Sequence, residues 1–248
     1  MPTPTLVAHR GLAARCPENT LPSLEQALQE GAEWIELDVQ LSADLVPLLF
    51  HDRTLERMCG APGAIHEHSS EELARLSCCE RGRFGERFAG TRIARVAELA
   101  QLLERHPGAR AFVEIKRVAL ERFGSERVLA RTLEPLRAVA QRCVLISFSL
   151  DFLEYARAHC ALPLGAVFDR WEERLAPQVA RIAPEFIFCD LEGLPAQGRL
   201  EHAGARIAIY EVDDARIARA LAERGVEFVE SFEVAGLAAA LREGGPAR

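Results

Sequence analysis

Glu36 and Asp38 lie two residues apart in the otherwise apolar stretch WIELDV. In a β-strand, side chains at i and i+2 share a face, so the two acids would stand side by side. Paired carboxylates repel each other and are costly to bury, and a divalent cation removes that cost. The stretch FVEIK repeats the pattern with Glu114 and Lys116. If the fold is a closed barrel, a third carboxylate converges on the same spot. With water the three form a hard-oxygen donor set that suits Mg²⁺ or Ca²⁺ better than zinc. Lys116 is also the only lysine in a chain whose lysines and arginines total 30.

Two histidines end apolar runs, His9 in LVAHRG and His51 in VPLLFHD. Such a pair can move protons in both directions, one ring accepting while the other donates. Arg10 and Lys116 add positive charge beside them, which suits an anionic phosphoryl group better than a neutral sugar or peptide. Each signal alone has a duller explanation. A histidine at a strand end is commonly structural, two acids in a strand can sit on an exposed edge, and Lys116 could simply pair with Glu114. Their joint occurrence at successive strand ends is what points to a site.

The elements that must position them alternate. Short β-branched or apolar runs predict strands over Thr5 to His9, Glu33 to Val39, Ala111 to Lys116, Cys143 to Phe148, Leu164 to Phe168, Phe186 to Asp190, Arg206 to Tyr210 and Val226 to Ser231. Helical periodicity predicts helices over 20–30, 96–105, 125–139, 150–159, 172–182, 214–224 and 234–242, with Gly31 and Gly225 as stops. Eight strands separated by helices in a chain of 248 residues predict a single (β/α)8 TIM barrel domain spanning residues 1–248. A doubly wound sheet is the alternative, but its usual GxGxxG turn is missing. Residues 52–90 lack barrel periodicity and contain one helical piece, SSEELARL. They read as a small insertion after the second strand, too small for a core of its own, of the kind that shapes a barrel's entrance. The tail EGGPAR is expected to fray.

Composition narrows the partners. An apolar fraction of 49 % supports a continuous core, and a net charge of −7 argues against a general field for nucleic acid or anionic lipid. The start MPTPTLVAHRG lacks a basic n-region and an apolar h-region, and no run approaches a membrane span, so the expectation is a cytoplasmic protein without stable membrane association. The seven cysteines show no CxxC or finger spacing and read as reduced, mostly buried thiols. His66 and His68 read as a solvated loop, Cys78 and Cys79 as packing residues, and EVDD as a helix start. Ser147 and Ser149 lack a GxSxG elbow.

The ordered segments AHRG, PENTLPSLEQALQEGAEWIELDVQLSAD, PLLFHDRTLER, SSEELARL and FVEIK resemble the glycerophosphodiester phosphodiesterase family, in particular its bacterial cytoplasmic members. The resemblance is dense from about residue 5 to 120 and looser beyond, where VLISFS is the clearest echo. It implies a (β/α)8 barrel that hydrolyses small glycerophosphodiesters to glycerol 3-phosphate and an alcohol. It implies Glu36, Asp38 and Glu114 as ligands of a divalent cation, Mg²⁺ or Ca²⁺, and His9 and His51 as the general acid/base pair. Arg10 and Lys116 would bind the phosphate, and Glu18 and Asn19 would support the site, with Asn19 or Thr20 capping the first helix. A compact ammonium fits among carboxylates and phosphate where a guanidinium would not.

The sequence departs from the family pattern in three places. Asp44 is followed by Leu45 where a glycine is usual, YEVDD stands where Trp-x-x-Asn is common, and ESFE stands where a final strand often ends in Thr-Asp. Extra acids late in the barrel would favour a cationic head group or discourage an anionic one. The rival readings are a lysophospholipase D-like phosphodiesterase, a non-catalytic phosphodiester-binding barrel and an amidohydrolase-type barrel. The last wants inward histidines at i and i+2 of the first strand, where this chain has Gly11.

Overall fold

The structure, a computed structural model, describes residues 3–243; the tail from Gly244 on lies outside the described residues. The strands are β1 (Thr5–Ala8), β2 (Trp34–Leu41), β3 (Pro47–Leu49), β4 (Arg110–Ile115), β5 (Cys143–Ser147), β6 (Leu164–Phe168), β7 (Phe186–Asp190), β8 (Arg206–Tyr210) and β9 (Phe228–Ser231). All but β3 pair in parallel around a ring, which β1 closes by bonding to both β9 and β2. With helices in the crossovers, the fold is the (β/α)8 barrel expected from the alternation.

Strand pleat sorts the residues between two cores. Outward-facing Ile35, Leu37, Val39, Val113 and Ile115 pack with Leu99, Leu103 and other helix residues in the large outer core. Inward-facing Trp34, Phe112, Phe186, Phe188 and Phe228 fill the barrel with an aromatic plug. Trp34 stacks on Phe112 at 4.4 Å, and Phe186 and Phe188 meet the Phe112 ring edge-on. These rings need a gap in the wall, and Gly165 of β6 supplies it. A β-carbon there would lie 2.8 Å from Ile146 Cγ2 and 3.0 Å from the Phe188 ring. Gly165→Val is therefore expected to destabilise the fold by about 2 kcal/mol through overpacking. Denaturant unfolding reads this directly, and an unchanged midpoint would show that the rings can give way.

The structure corrects the expected elements in several places. Strand β3, three residues long and antiparallel to β2, was not among the predicted eight. It forms a hairpin whose turn puts Leu45 at a φ of 64°, the left-handed conformation that the usual glycine would adopt without strain. The helix expected over 172–182 is split into a 3-10 turn, Trp171–Leu175, and a helix, Pro177–Ile182. Pro177 has no N–H to continue a helix but starts one well. The helix Ser125–Leu136 stops short of 139, one residue after Pro135, and gives way to a 3-10 turn. A further helix, Arg117–Phe123, follows β4 directly; it buries only Val118 and Ala119, too little apolar pattern to be read. Between residues 52 and 90 there are three one-turn helices, Glu56–Cys59, Ser70–Leu73 and Arg81–Phe84, rather than one. This excursion also has a small apolar cluster, including Leu55, Met58, Ile65 and Leu73, anchored on Leu48 of β3 and on Phe50.

No helix among the described residues is long and apolar enough to cross a membrane. All seven cysteines are free and five are buried.

Candidate active site

Parallel strands point their carboxyl ends to one mouth, so residues near those ends meet there. Register does the rest. Asp38 lies opposite Glu114 across the β2–β4 ladder, and Val7 lies opposite Glu230 across β1–β9. Glu36, Asp38 and Glu114 each offer an oxygen within 4.8 Å of the others, and all three are buried. His9, Arg10, His51 and Lys116 line the same cavity of about 250 Å³. Every residue of the sequence-derived set is thus at one mouth or braces it.

The turn after β1 sets His9 and Arg10. Arg10 takes a φ of 57° and Gly11 one of 81°. A β-carbon at Gly11 would lie 2.7 Å from the Ser23 carbonyl carbon, so only glycine lets the chain pass the first helix here. The Arg10 backbone N–H donates to Glu36 Oε2 at 3.2 Å. The Arg10 guanidinium donates to Glu18 Oε1 at 3.2 Å and lies 3.4 Å from Asp38 Oδ2. Asn19 donates to Asp38 Oδ2 at 2.7 Å and accepts from the Asp38 backbone N–H at 3.0 Å. The first helix, Leu21–Gln29, is capped by Thr20, which leaves Asn19 free to hold Asp38.

Lys116 sits between two carboxylates, with Nζ 3.1 Å from Asp38 Oδ1 and 2.9 Å from Glu114 Oε1. Burial opposes its charge, but Asp38 and Glu114 outweigh it and raise the Lys116 pKa. Burial likewise opposes ionisation of Asp38, yet Lys116 and Arg10 hold it below the usual carboxylate range. Glu36 and Glu114 go the other way. Burial and the neighbouring Asp38 charge push both upward, and Glu36 Oε1 has no hydrogen-bond partner. Buried acids driven toward protonation by their neighbours, with one oxygen orphaned, are what a hard divalent cation would relieve, so this donor set fits one.

The histidines sit in unlike settings. His9 is buried, stacks on Phe232 at 4.7 Å, and has Nε2 3.6 Å from Glu36 Oε2. Burial, then the Arg10 charge, lowers its pKa, favouring the neutral ring. His51 is part-exposed, and its Nδ1 bonds Asp52 Oδ1 at 2.9 Å, leaving Nε2 for a ligand. Gln40 Nε2 donates to the backbone carbonyls of Phe50, His51 and Asp52 at 3.0, 3.2 and 2.7 Å, which fixes the segment carrying the ring.

Sequence reasoning missed the brace behind these groups. The Arg57 guanidinium donates to Asp52 through two nitrogens at 2.7 and 2.9 Å, to Glu18 at 2.7 Å and to Glu80 at 3.0 Å. One side chain thereby ties the orienting partner of His51 to the carboxylate that holds Arg10. Glu18, His51 and Asp52 also come close enough together to hold an ion, but Arg57 already occupies the two acids. Both Asp52 and Arg57 lie in HDRTLER, the run that carries His51, so adjacency was the available signal. Glu230, noted only as a departure, is buried in the cavity wall 4.0 Å from His9 Nε2. EVDD is only partly a helix start. Asp214 caps the helix Ala215–Glu223 and Asp213 accepts from Ser231, but Glu211 lines the cavity.

Comparison with known proteins bears on the family and the fold. A phosphodiesterase from Oleispira antarctica, solved in complex with the product sn-glycerol 3-phosphate, superposes with a TM-score of 0.83 at 25 % identity, covering 97 % of each chain. A glycerophosphodiester phosphodiesterase of Caldanaerobacter subterraneus subsp. tengcongensis is 33 % identical over 147 residues, 58 % of each chain. Glycerophosphodiester phosphodiesterase 1 of Mus musculus is 34 % identical over 100 residues, 40 % of this chain and 30 % of that one. The chain thus spans 58 % or less of the length of these two curated relatives. The family model for the glycerophosphoryl diester phosphodiesterase family matches residues 9–230, from the first site histidine to the last cavity carboxylate. With nearly the whole barrel inside that match, the chain belongs to the glycerophosphoryl diester phosphodiesterase family.

Proposed function

We propose that this chain hydrolyses glycerophosphodiesters to glycerol 3-phosphate and an alcohol, with a divalent cation held by Glu36, Asp38 and Glu114. The observation that carries the reading is that Glu36, Glu114, two cationic side chains and two histidines line one cavity, with the buried Asp38 carboxylate within 4.8 Å of both acids. The product bound in the Oleispira relative supports the same substrate class. When bound, a divalent cation would supply positive charge against the phosphate oxygens.

The chain's own residues do the rest. Arg10 and Lys116, kept charged by their carboxylate partners, add preorganised positive charge where negative charge grows in the transition state. Of the two histidines, one takes a proton from the attacking oxygen and the other gives one to the departing alcohol. Asp52 fixes the His51 ring so that Nε2 is the exchanging atom. Phe232, stacked on His9, shields that ring from water.

Removal and return of the metal tests the reading. Chelator-stripped protein is expected to release no glycerol 3-phosphate from glycerophosphoethanolamine, and added Mg²⁺ or Ca²⁺ to restore release. Folded protein that binds the diester but releases nothing with either ion would favour the non-catalytic binding barrel. Full activity after stripping would sink the assignment of the three carboxylates.

A further inference from the structure

The cavity keeps its cations, with the carboxylate trio they pair with, apart from a second set of acids that have no cationic partner. Arg10 and Lys116 stand on the side of β1, β2 and β4. The other side, built from the carboxyl ends of β6 to β9, carries Asp169, Asp190, Glu211 and Glu230. Among the described residues none of these four is ion-paired with an arginine or lysine. Elsewhere the chain pairs its acids freely, as in Glu154 with Arg181, Glu185 with Arg157 and Glu227 with Arg206. Among the described residues the Asp190 carboxylate accepts only from the backbone N–H of Glu192, at 2.7 Å.

Glu230 is the telling member. It is 2 % exposed, yet its Oε1 has no hydrogen-bond partner, and among the described residues its one basic partner within 4.0 Å is the His9 ring, at Nε2. Burial and the charge of Glu114 push its pKa well up, the behaviour of a carboxylate that lacks a counter-charge. It stands outside the trio that would hold the divalent cation. Beside the acids, Phe148, Phe188 and Tyr210 line the same space. The Tyr210 hydroxyl donates to the Phe168 carbonyl, so its polar end is already engaged. Carboxylates without counter-ions, next to aromatic rings, make a receptor for an ammonium group, which gains from both.

We propose that the acidic side of the cavity binds a positively charged substituent on the substrate's alcohol. This rests on the diesterase reading above and narrows it. The phosphate meets Arg10 and Lys116, an ammonium three bonds beyond the ester oxygen meets the carboxylates, and an alcohol bearing an anion is repelled. The sign pattern selects among diesters that share the same phosphate and glycerol.

The test is a substrate series on the full, metal-loaded chain: glycerophosphocholine and glycerophosphoethanolamine, neutral glycerophosphoglycerol, and carboxylate-bearing glycerophosphoserine. The cationic diesters should show kcat/KM roughly tenfold above the neutral one, with the serine diester below the cationic pair. High salt should compress the ratio. Asp169→Asn, Asp190→Asn, Glu211→Gln and Glu230→Gln, singly and combined, should move the ratio of cationic to neutral kcat/KM toward one. Equal kcat/KM for choline and glycerol diesters at low salt would overturn the proposal, as would a ratio that survives the combined variant. Two divalent ions bound per chain by calorimetry, with no charge preference, would assign the acidic wall to a second metal instead. If no diester is hydrolysed, the hydrolytic reading fails separately, and calorimetric binding of the choline against the glycerol diester still decides the charge preference.

Discussion

His51→Ala is expected to lower kcat for diester hydrolysis by roughly 10²- to 10⁴-fold, the range for loss of a positioned acid or base. His51 is the cleaner histidine to remove. Its ring is part-exposed and, among the described residues, its one side-chain hydrogen-bond partner is Asp52, so truncation removes no hydrogen bond to the carboxylate trio or the aromatic plug. The thermal midpoint and metal affinity should therefore stay near those of the unmodified protein. His9 offers no such separation, because removing it also empties the space against Phe232 and uncovers Glu36. A measured kcat within a few-fold of the starting protein would exclude His51 from proton transfer. A second variant, Asp52→Asn, keeps the ring but weakens its orientation and should fall between the two.

Lys116→Arg keeps the charge and changes only its shape, and it is expected to cost roughly 10²- to 10³-fold in kcat, the scale of losing one preorganised donor at a developing anion. The ammonium lies between Asp38 Oδ1 and Glu114 Oε1, in a niche that leaves 16 % of the side chain exposed. A planar guanidinium needs a wider, flatter space and would push one carboxylate away from the trio. The concentration of Mg²⁺ or Ca²⁺ that gives half-maximal activity should rise along with the loss of kcat. An active Lys116→Arg variant would mean that charge alone suffices, and the single lysine of the chain would lose its explanation.

Much of this could be read from the residues because the barrel turns sequence pattern into geometry with few free choices. Once strand pleat and strand order are known, Glu36, Asp38 and Glu114 must share a face and Asp38 must neighbour Glu114. What escaped were features shorter than the periodicities that reveal them. Strand β3 has three residues and the helices near 56, 70 and 81 one turn each, so neither a period of two nor one of 3.6 develops. The role of Arg57 escaped for a different reason. Its partners Glu18, Asp52 and Glu80 come from three separate segments, and an ion pair across 39 residues leaves no local signature in an arginine-rich chain. Glu230 and Glu211 were visible as odd residues, but only the ring closure shows that they face His9 and the cavity.

That closure also bears on how the protein is made. The backbone N–H of His9 donates to the Ser231 carbonyl, and β1 is held on one flank only by β9. A ribosome that has delivered the chain as far as Gly225 has already delivered all three carboxylates and both histidines. The first strand nevertheless waits with one edge open until the last arrives, so a nascent or prematurely terminated chain holds the reactive groups without the enclosure that aligns them.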